Sequence, residues 1–151
     1  MGGRWPVGFA GAQNSGVAEI VRQTPGSIGY LDLTYALQNQ VAMDRVRNAA
    51  GVFVEPKLSG LTAAAAAKAA ETAADLRVSL VDAPGRDSYP IAYYTWLIVP
   101  ARLHETAKGH ALAKFLRWMT AAGEANAASL GYAPLPAEIA ATARQQADRL
   151  R

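Results

Sequence analysis

The chain has 151 residues, of which 51% are apolar and 18% charged, and it contains no cysteine. That length and balance allow one ordinary domain with a hydrophobic core and exclude a disordered polymer; the missing thiols exclude disulfides, thiolate metal sites and a cysteine nucleophile. Lys+Arg 15 against Asp+Glu 12 leaves a formal charge of only +3, and the densest basic stretch, Arg144, Arg149 and Arg151, has no interleaved aromatic residue. It reads as a solvated helix end, not a nucleic-acid surface.

Trp5-Pro-Val-Gly-Phe9 opens as a short extended piece. Gly11-Ala-Gln-Asn-Ser-Gly16 is a turn-rich loop, and Asn14 or Ser15 is placed to cap the helix that follows, where Val17, Ile20 and Val21 form an apolar stripe. Pro25-Gly26 ends that helix and turns the chain. Residues 27–33 read as a buried strand, with Gly29 marking a close approach. Asp32 or Thr34 caps a short helix through Asn39. Val46 and Val52-Phe-Val54 flank Ala50-Gly51, the pattern of a β-hairpin. The alanine-dominated stretch 59–76 has the highest helix propensity in the chain and reads as one packed helix with a small-residue face. Residues 76–81 suit a strand and 82–88 a loop.

Residues 91–99 are the strongest strand in the sequence, rich in β-branched and aromatic side chains and bracketed by Pro90 and Pro100. This apolar run is also the longest in the chain, and it is too short to span a membrane. Residues 105–122 form an amphipathic helix in which Leu112, Phe115, Leu116 and Met119 recur at helical spacing. Gly123 kinks or ends it, and a short helix runs on to Leu130. Gly131-Tyr-Ala-Pro-Leu-Pro136 is a stiff turn before a last helix over 137–150, with Pro136 near its first turn. Mixed strands and helices point to α/β or α+β architecture.

Little in this pattern suggests catalysis. His104 and His110 are six residues apart and do not share a helix face at one-turn spacing, so they read as surface histidines. No nucleophile elbow and no phosphate-loop motif occurs, and no cofactor or metal is expected. The chain is therefore read as a non-enzyme. One physical possibility is the loop over 8–16. It leads into a helix N-terminus, where free N–H groups and the helix dipole attract anions, and Gln13, Asn14 and Ser15 offer side-chain donors. Tyr89, Tyr93, Tyr94 and Trp96 suggest either a stacking platform or, more simply, core packing with hydroxyls at an edge. Met1-Gly-Gly-Arg-Trp-Pro6 lacks the basic start and apolar core of a signal peptide, which read alone points to the cytoplasm.

Three segments in fixed order carry a family resemblance. They are residues 24–39, containing Pro25-Gly-Ser-Ile-Gly-Tyr30 and Gln38-Asn39; residues 89–100; and the closing Leu116-x-Trp118…Gly123…Leu130-Gly-Tyr-Ala-x-Leu-Pro136. With Trp5-Pro-Val-Gly and Gly11-x-x-Asn-x-Gly16, they resemble the C-terminal half of the phosphate-binding proteins of bacterial phosphate ABC transporters. Ala12-Gln13 departs from the Lys-Gly usual there.

The resemblance implies an α/β fold: the C-terminal portion of a two-lobed periplasmic-binding-protein-like clamp that closes by hinge motion. Residues 1–90 would belong to one lobe, and residues 91–151 would supply the crossover strand and C-terminal helices of the other. It also implies capture of inorganic phosphate for uptake, a membrane permease as partner, and a periplasmic or extracytoplasmic location. The family's main phosphate contacts and its signal peptide are expected upstream of Met1, so no family ligand residue is carried onto this chain. Gln13, Asn14 and Ser15 stand as candidate contacts from the residue reading alone. Both lobes would lack strands, so the isolated chain is expected to expose apolar edges and to self-associate. The alternative is an interaction module or remnant fold that does not bind phosphate.

Overall fold

The computed structural model describes residues 7–100 and 106–149, with the side chain of Thr106 left aside. Trp5, Pro6, His104, Glu105, Leu150 and Arg151 therefore lie outside the described residues, with the expectations that rest on them. The chain divides into two compact units, 1–43 and 44–151. Among the described residues, no helix is long and apolar enough to cross a membrane.

The first unit contains α1 (Gln13–Gln23) and α2 (Leu33–Gln38), packed on each other with Ala18 and Ala36 buried. The expected turn at Pro25-Gly26 is present: Ser27 N–H donates to the Thr24 carbonyl, and Gly26 takes φ +77°. The close approach at Gly29 is also present. A Cβ there would lie 2.5 Å from Val21 Cγ2 and 3.1 Å from Val17 Cγ1, so only glycine lets this stretch lie on α1. The strand expected over 27–33 does not form: residues 27–32 run without a ladder, and α2 begins at Leu33. A strand needs a second strand with which to exchange bonds, and none occurs among the described residues of this unit. Ile28 is consequently 90% exposed.

In the second unit the hairpin forms as read. β1 (Val46–Arg47) pairs antiparallel with β2 (Phe53–Val54), with Val46 opposite Val54. Gly51, at φ +77°, closes the turn by donating its N–H to the Asn48 carbonyl. Asn48 is buried and fully engaged. Its Nδ2 donates to the carbonyls of Gly85, Arg86 and Ser88, while its Oδ1 accepts the N–H groups of Ala50 and Val52. One amide thus ties the hairpin turn to the 82–88 loop.

The alanine-rich stretch is two helices, α3 (Leu58–Ala67) and α4 (Ala69–Ala74), interrupted at Lys68. Uniform alanine favours helix everywhere but does not choose where it is continuous. Buried Thr72 bonds back to the Lys68 carbonyl at 2.9 Å and meets the Tyr94 hydroxyl at 3.2 Å. The small-residue face is real: Ala64, Ala65 and Gly60 are buried, and a Cβ at 60 would sit 3.2 Å from Tyr89 Cβ.

Residues 76–81 alternate half-buried or buried Leu76, Val78 and Leu80 with exposed Arg77, Ser79 and Val81, yet form no ladder. Residues 91–99, the strongest strand by sequence, also form none. Ala92 is buried and Tyr94 packs on the core, whereas Ile98 is 97% exposed. Tyr94 meets Trp96 edge to face at 6.2 Å, and the Trp96 indole N–H donates to the Leu76 carbonyl. Burial pushes the Tyr94 phenol above its ordinary value, against the opposing Thr72 hydrogen bond.

The remaining helices are α5 (Thr106–Met119), two short 3-10 turns (Ala122–Asn126 and Ala128–Leu130) and α6 (Ala137–Ala147) preceded by Pro136. Of the expected stripe on α5, Leu112 and Leu116 are half-buried, but Phe115 and Met119 are exposed; Phe115 instead stacks on Trp118 at 5.9 Å. Gly123 follows the helix closely enough that a Cβ would lie 2.9 Å from the Trp118 carbonyl oxygen. Arg144 on α6 donates to the Thr120 carbonyl just past α5, and Arg117 pairs with Asp148. The C-terminal arginine at 144 is thus a helix-end contact.

The core gathers Ala64, Ala65, Leu80, Ala83, Ala92 and Ile139, with Leu61, Ala69, Tyr94 and Leu135 against it. Among the described residues, every buried apolar side chain other than Leu80, Pro90 and Ile139 is alanine. Leu80 and Ile139, at about 1.5–3 kcal/mol each, are the main apolar anchors.

Candidate anion site at the first turn of α1

The loop before α1 is shaped by backbone packing. A Cβ at Gly11 would lie 2.5 Å from the Val17 nitrogen and 2.7 Å from the Gly16 carbonyl carbon, so Gly11 lies directly on the first turn. Helix α1 begins one residue before the expected caps. Its N-cap is Ala12, Gln13 carries φ +59°, and no side chain caps the helix. The expectation that Asn14 or Ser15 caps it is therefore corrected: both already sit within the first turn, beyond the flanking position from which a side chain reaches back to the N2 or N3 amide.

Asn14 instead makes a two-way bridge. Its Nδ2 donates to Asp32 Oδ2 at 2.8 Å, and its Oδ1 accepts the Asp32 N–H at 3.0 Å. Asp32 occupies the N-cap position of α2 as expected, but its side chain makes no capping bond there. The bridge joins the starts of the two helices. Gln13 and Ser15 are exposed, so the structure brings Asn14 to Asp32 and leaves the other two candidates on the surface.

The electrostatics around this turn are mixed. The helix dipole favours an anion and the first turn of α1 holds no acid, but the Asp32 carboxylate lies one hydrogen bond away. Arg22, the basic residue of this helix, is in its last turn and pairs with Glu19 at 3.5 Å. A phosphate dianion at the first turn would find amide and hydroxyl donors, while Arg22, the cation among the described residues of this unit, lies at the far end of the helix.

A second concave region escaped the sequence reading. Arg45, Phe53, Glu55, Lys57, Ser59 and Asp87 line an open groove of about 570 Å³ beside the hairpin. Glu55 accepts Arg45 Nη2 at 2.6 Å and Lys57 Nζ at 2.5 Å. Hydrogen bonding from Lys57, then from Arg45, holds the Glu55 carboxyl below its usual value. Both cations are thus spoken for, and Asp87 adds a second carboxylate to the lining, which makes the groove a poor anion trap. The spacing of Arg45 and Glu55 across a hairpin turn was the available signal. His110 is exposed, as read.

Comparisons with known proteins bear on the same residues. The PBP superfamily domain matches residues 1–122. The phosphate-binding protein PstS of Xylella fastidiosa (strain Temecula1) is 35% identical over 136 residues, which is 90% of this chain and 37% of that protein. The phosphate-binding protein PstS of Haemophilus influenzae (Rd) is 33% identical over 143 residues, covering 95% of this chain and 43% of its own length. The protein of the same name from Methanocaldococcus jannaschii is 31% identical, covering 90% of this chain and 39% of its own length. The chain thus spans well under half the length of the curated relatives it matches. The extended α/β-type sequence, its helix-rich α/β structure with one small sheet, and the domain match over most of its length agree: this chain belongs to the PBP superfamily.

Proposed function

We propose that this chain is part of the substrate-binding component of a phosphate ABC transporter. It captures inorganic phosphate outside the cytoplasm for delivery to a membrane permease, and it performs no catalysis. The observation that carries this reading is the 33–35% identity, over 90–95% of the chain, to proteins named for phosphate binding. In this reading residues 1–90 belong to one lobe of a hinged clamp and residues 91–151 to the other. Gln13 and Ser15 serve as peripheral donors, Asn14 holds the turn in place through Asp32, and the principal phosphate contacts come from the part of the clamp outside the match.

A second reading, a module that retains the fold without binding phosphate, is favoured by the Asn14–Asp32 bridge and by the position of Arg22, the cation among the described residues of that unit, in the last turn of α1, not the first. Calorimetric titration of the chain with phosphate, with sulfate as control, tests the two. Phosphate-selective heat supports capture by these residues and makes Gln13 and Ser15 the first to substitute. Equal heats for both ions, or none in a folded sample, favour the second reading for this chain.

A further inference from the structure

We propose that the hairpin, the 82–88 loop and the start of α3 act as one lever: they open and close together, and the Asn48 amide carries a displacement of the hairpin through the loop to Tyr89 and the segment that follows. This coupling is independent of phosphate capture. Residues 84–88 make no backbone–backbone hydrogen bond among the described residues. Two side chains hold their carbonyls instead. Ser88 Oγ donates to the Pro84 carbonyl at 2.6 Å, and Asn48 Nδ2 donates to those of Gly85, Arg86 and Ser88 at 3.1, 2.9 and 3.0 Å. Both side chains are buried, Ser88 at 1% exposure and Asn48 at 5%. A buried carbonyl that loses its donor is costly, so the loop keeps this shape only while the hairpin is in place. Asp82, at φ +53°, sits in the left-handed region that disfavours side chains, so part of that shape is imposed on the loop.

The loop is tied at its other end as well. Asp82 N–H donates to the Pro90 carbonyl at 2.8 Å, and Tyr89 N–H donates to the Gly60 carbonyl on α3 at 3.1 Å. Gly60 lies so close that a Cβ there would sit 3.2 Å from Tyr89 Cβ and 3.3 Å from the Asp87 carbonyl oxygen. Ala83 and Ala92, at the two ends of this stretch, both belong to the core. A shift of the hairpin therefore either breaks several buried bonds at once or moves Tyr89 with it. Packed interiors switch between discrete arrangements more readily than they deform, which favours the second. The groove beside the hairpin is lined by Arg45, Phe53 and Glu55, by Gly60 on α3 and by Asp87 on the loop. Its walls are thus the three pieces that these bonds join.

Amide hydrogen exchange of the whole chain, read residue by residue, tests the lever. The reporters are the amides of Asn48, Asp82 and Tyr89, and the control is the Thr120 amide at the end of α5. In the unaltered chain the three reporters are expected to share one opening constant within about threefold. Asn48→Ala is expected to speed Asp82 and Tyr89, to whose amides Asn48 makes no hydrogen bond, by a common factor of about thirtyfold or more, while Thr120 stays within about twofold of its rate. By reciprocity, Gly60→Ala, which crowds Tyr89 yet suits a helix, is expected to speed the Asn48 and Tyr89 amides alike, by about threefold or more. Should Asn48→Ala unfold the chain, the reporters of the unaltered chain and Gly60→Ala decide. Reporters that open independently, one end speeding without the other, no change at the hairpin in Gly60→Ala, or equal acceleration of Thr120 would each overturn the proposal. None of these readouts involves phosphate, so failure here is distinct from failure of phosphate capture.

Discussion

The hairpin at 46–54 and the segment at 91–99 make opposite use of their sequences. The hairpin strands are only two residues long, and Phe53 is exposed, yet they pair in register. The longer segment has the richer strand composition and forms no ladder. The difference is where the partner lies. Gly51 and Asn48 bring β2 back to β1 within a few residues, so closing the loop costs little and the buried Asn48 amide holds the turn. The 91–99 segment finds a core for one side, through Ala92 and Tyr94, but no strand for its edges. Strand propensity is a statement about fit to a pleated, half-buried surface, and it is idle without that surface.

The largest expected effect lies under the longer segment. Ile139→Ala removes one of the largest buried apolar side chains among the described residues, in the cluster that includes Ala92, and is expected to destabilise the second unit by about 2–5 kcal/mol in denaturant unfolding. If the segment were held by edge pairing and not by this core, the loss would be far smaller.

Asn48→Ala attacks the hairpin at its counterpart of a core. Three carbonyls and two N–H groups lose their partner in a buried site, and an expected cost of about 2–3 kcal/mol should appear as a lower thermal midpoint. A cost below about 0.5 kcal/mol would mean that water replaces the amide and that the local turn alone suffices. Gly51→Ala is milder. At φ +77° the added Cβ costs roughly 1 kcal/mol, read in the same melts.

The smallest effect is electrostatic and belongs to the hairpin alone. The exposed Glu55 carboxyl is lowered by Lys57 and Arg45, so its contribution is present above the ordinary value of 4.5 and is lost as pH falls through the lower folded value. Melting from neutral pH to below 4 should therefore show a small acid-side loss that Glu55→Gln reduces. Residues 91–99 contain no carboxylate and should contribute nothing to that slope.

Several features were legible in the residues because their causes are local. The hairpin, the Pro25-Gly26 turn, the need for glycine at 29 and the positions of α2, α5 and α6 all follow from turn chemistry, caps or periodicity. The family was legible too, through ordered segments spread over the whole chain. The candidate site was legible only in part. Gln13, Asn14 and Ser15 do open a helix, but Asp32, eighteen residues away, decides what Asn14 does. The groove at Arg45, Glu55 and Lys57 was not seen because its charges come together only when the hairpin closes.

By itself, then, the sequence determined family, helix content and local turns, since each is written in neighbouring residues or in motif order. Only the tertiary structure decided that the alanine stretch breaks at Lys68, that Asn14 bridges instead of capping, and that 27–32, 76–81 and 91–99 run without ladders. Two of those outcomes depend on something distant in the chain: Asp32 for Asn14, and, for the segments without ladders, a strand that the described residues do not supply. Propensity can specify what a segment is suited to do, but pairing and burial require a second surface to do it with.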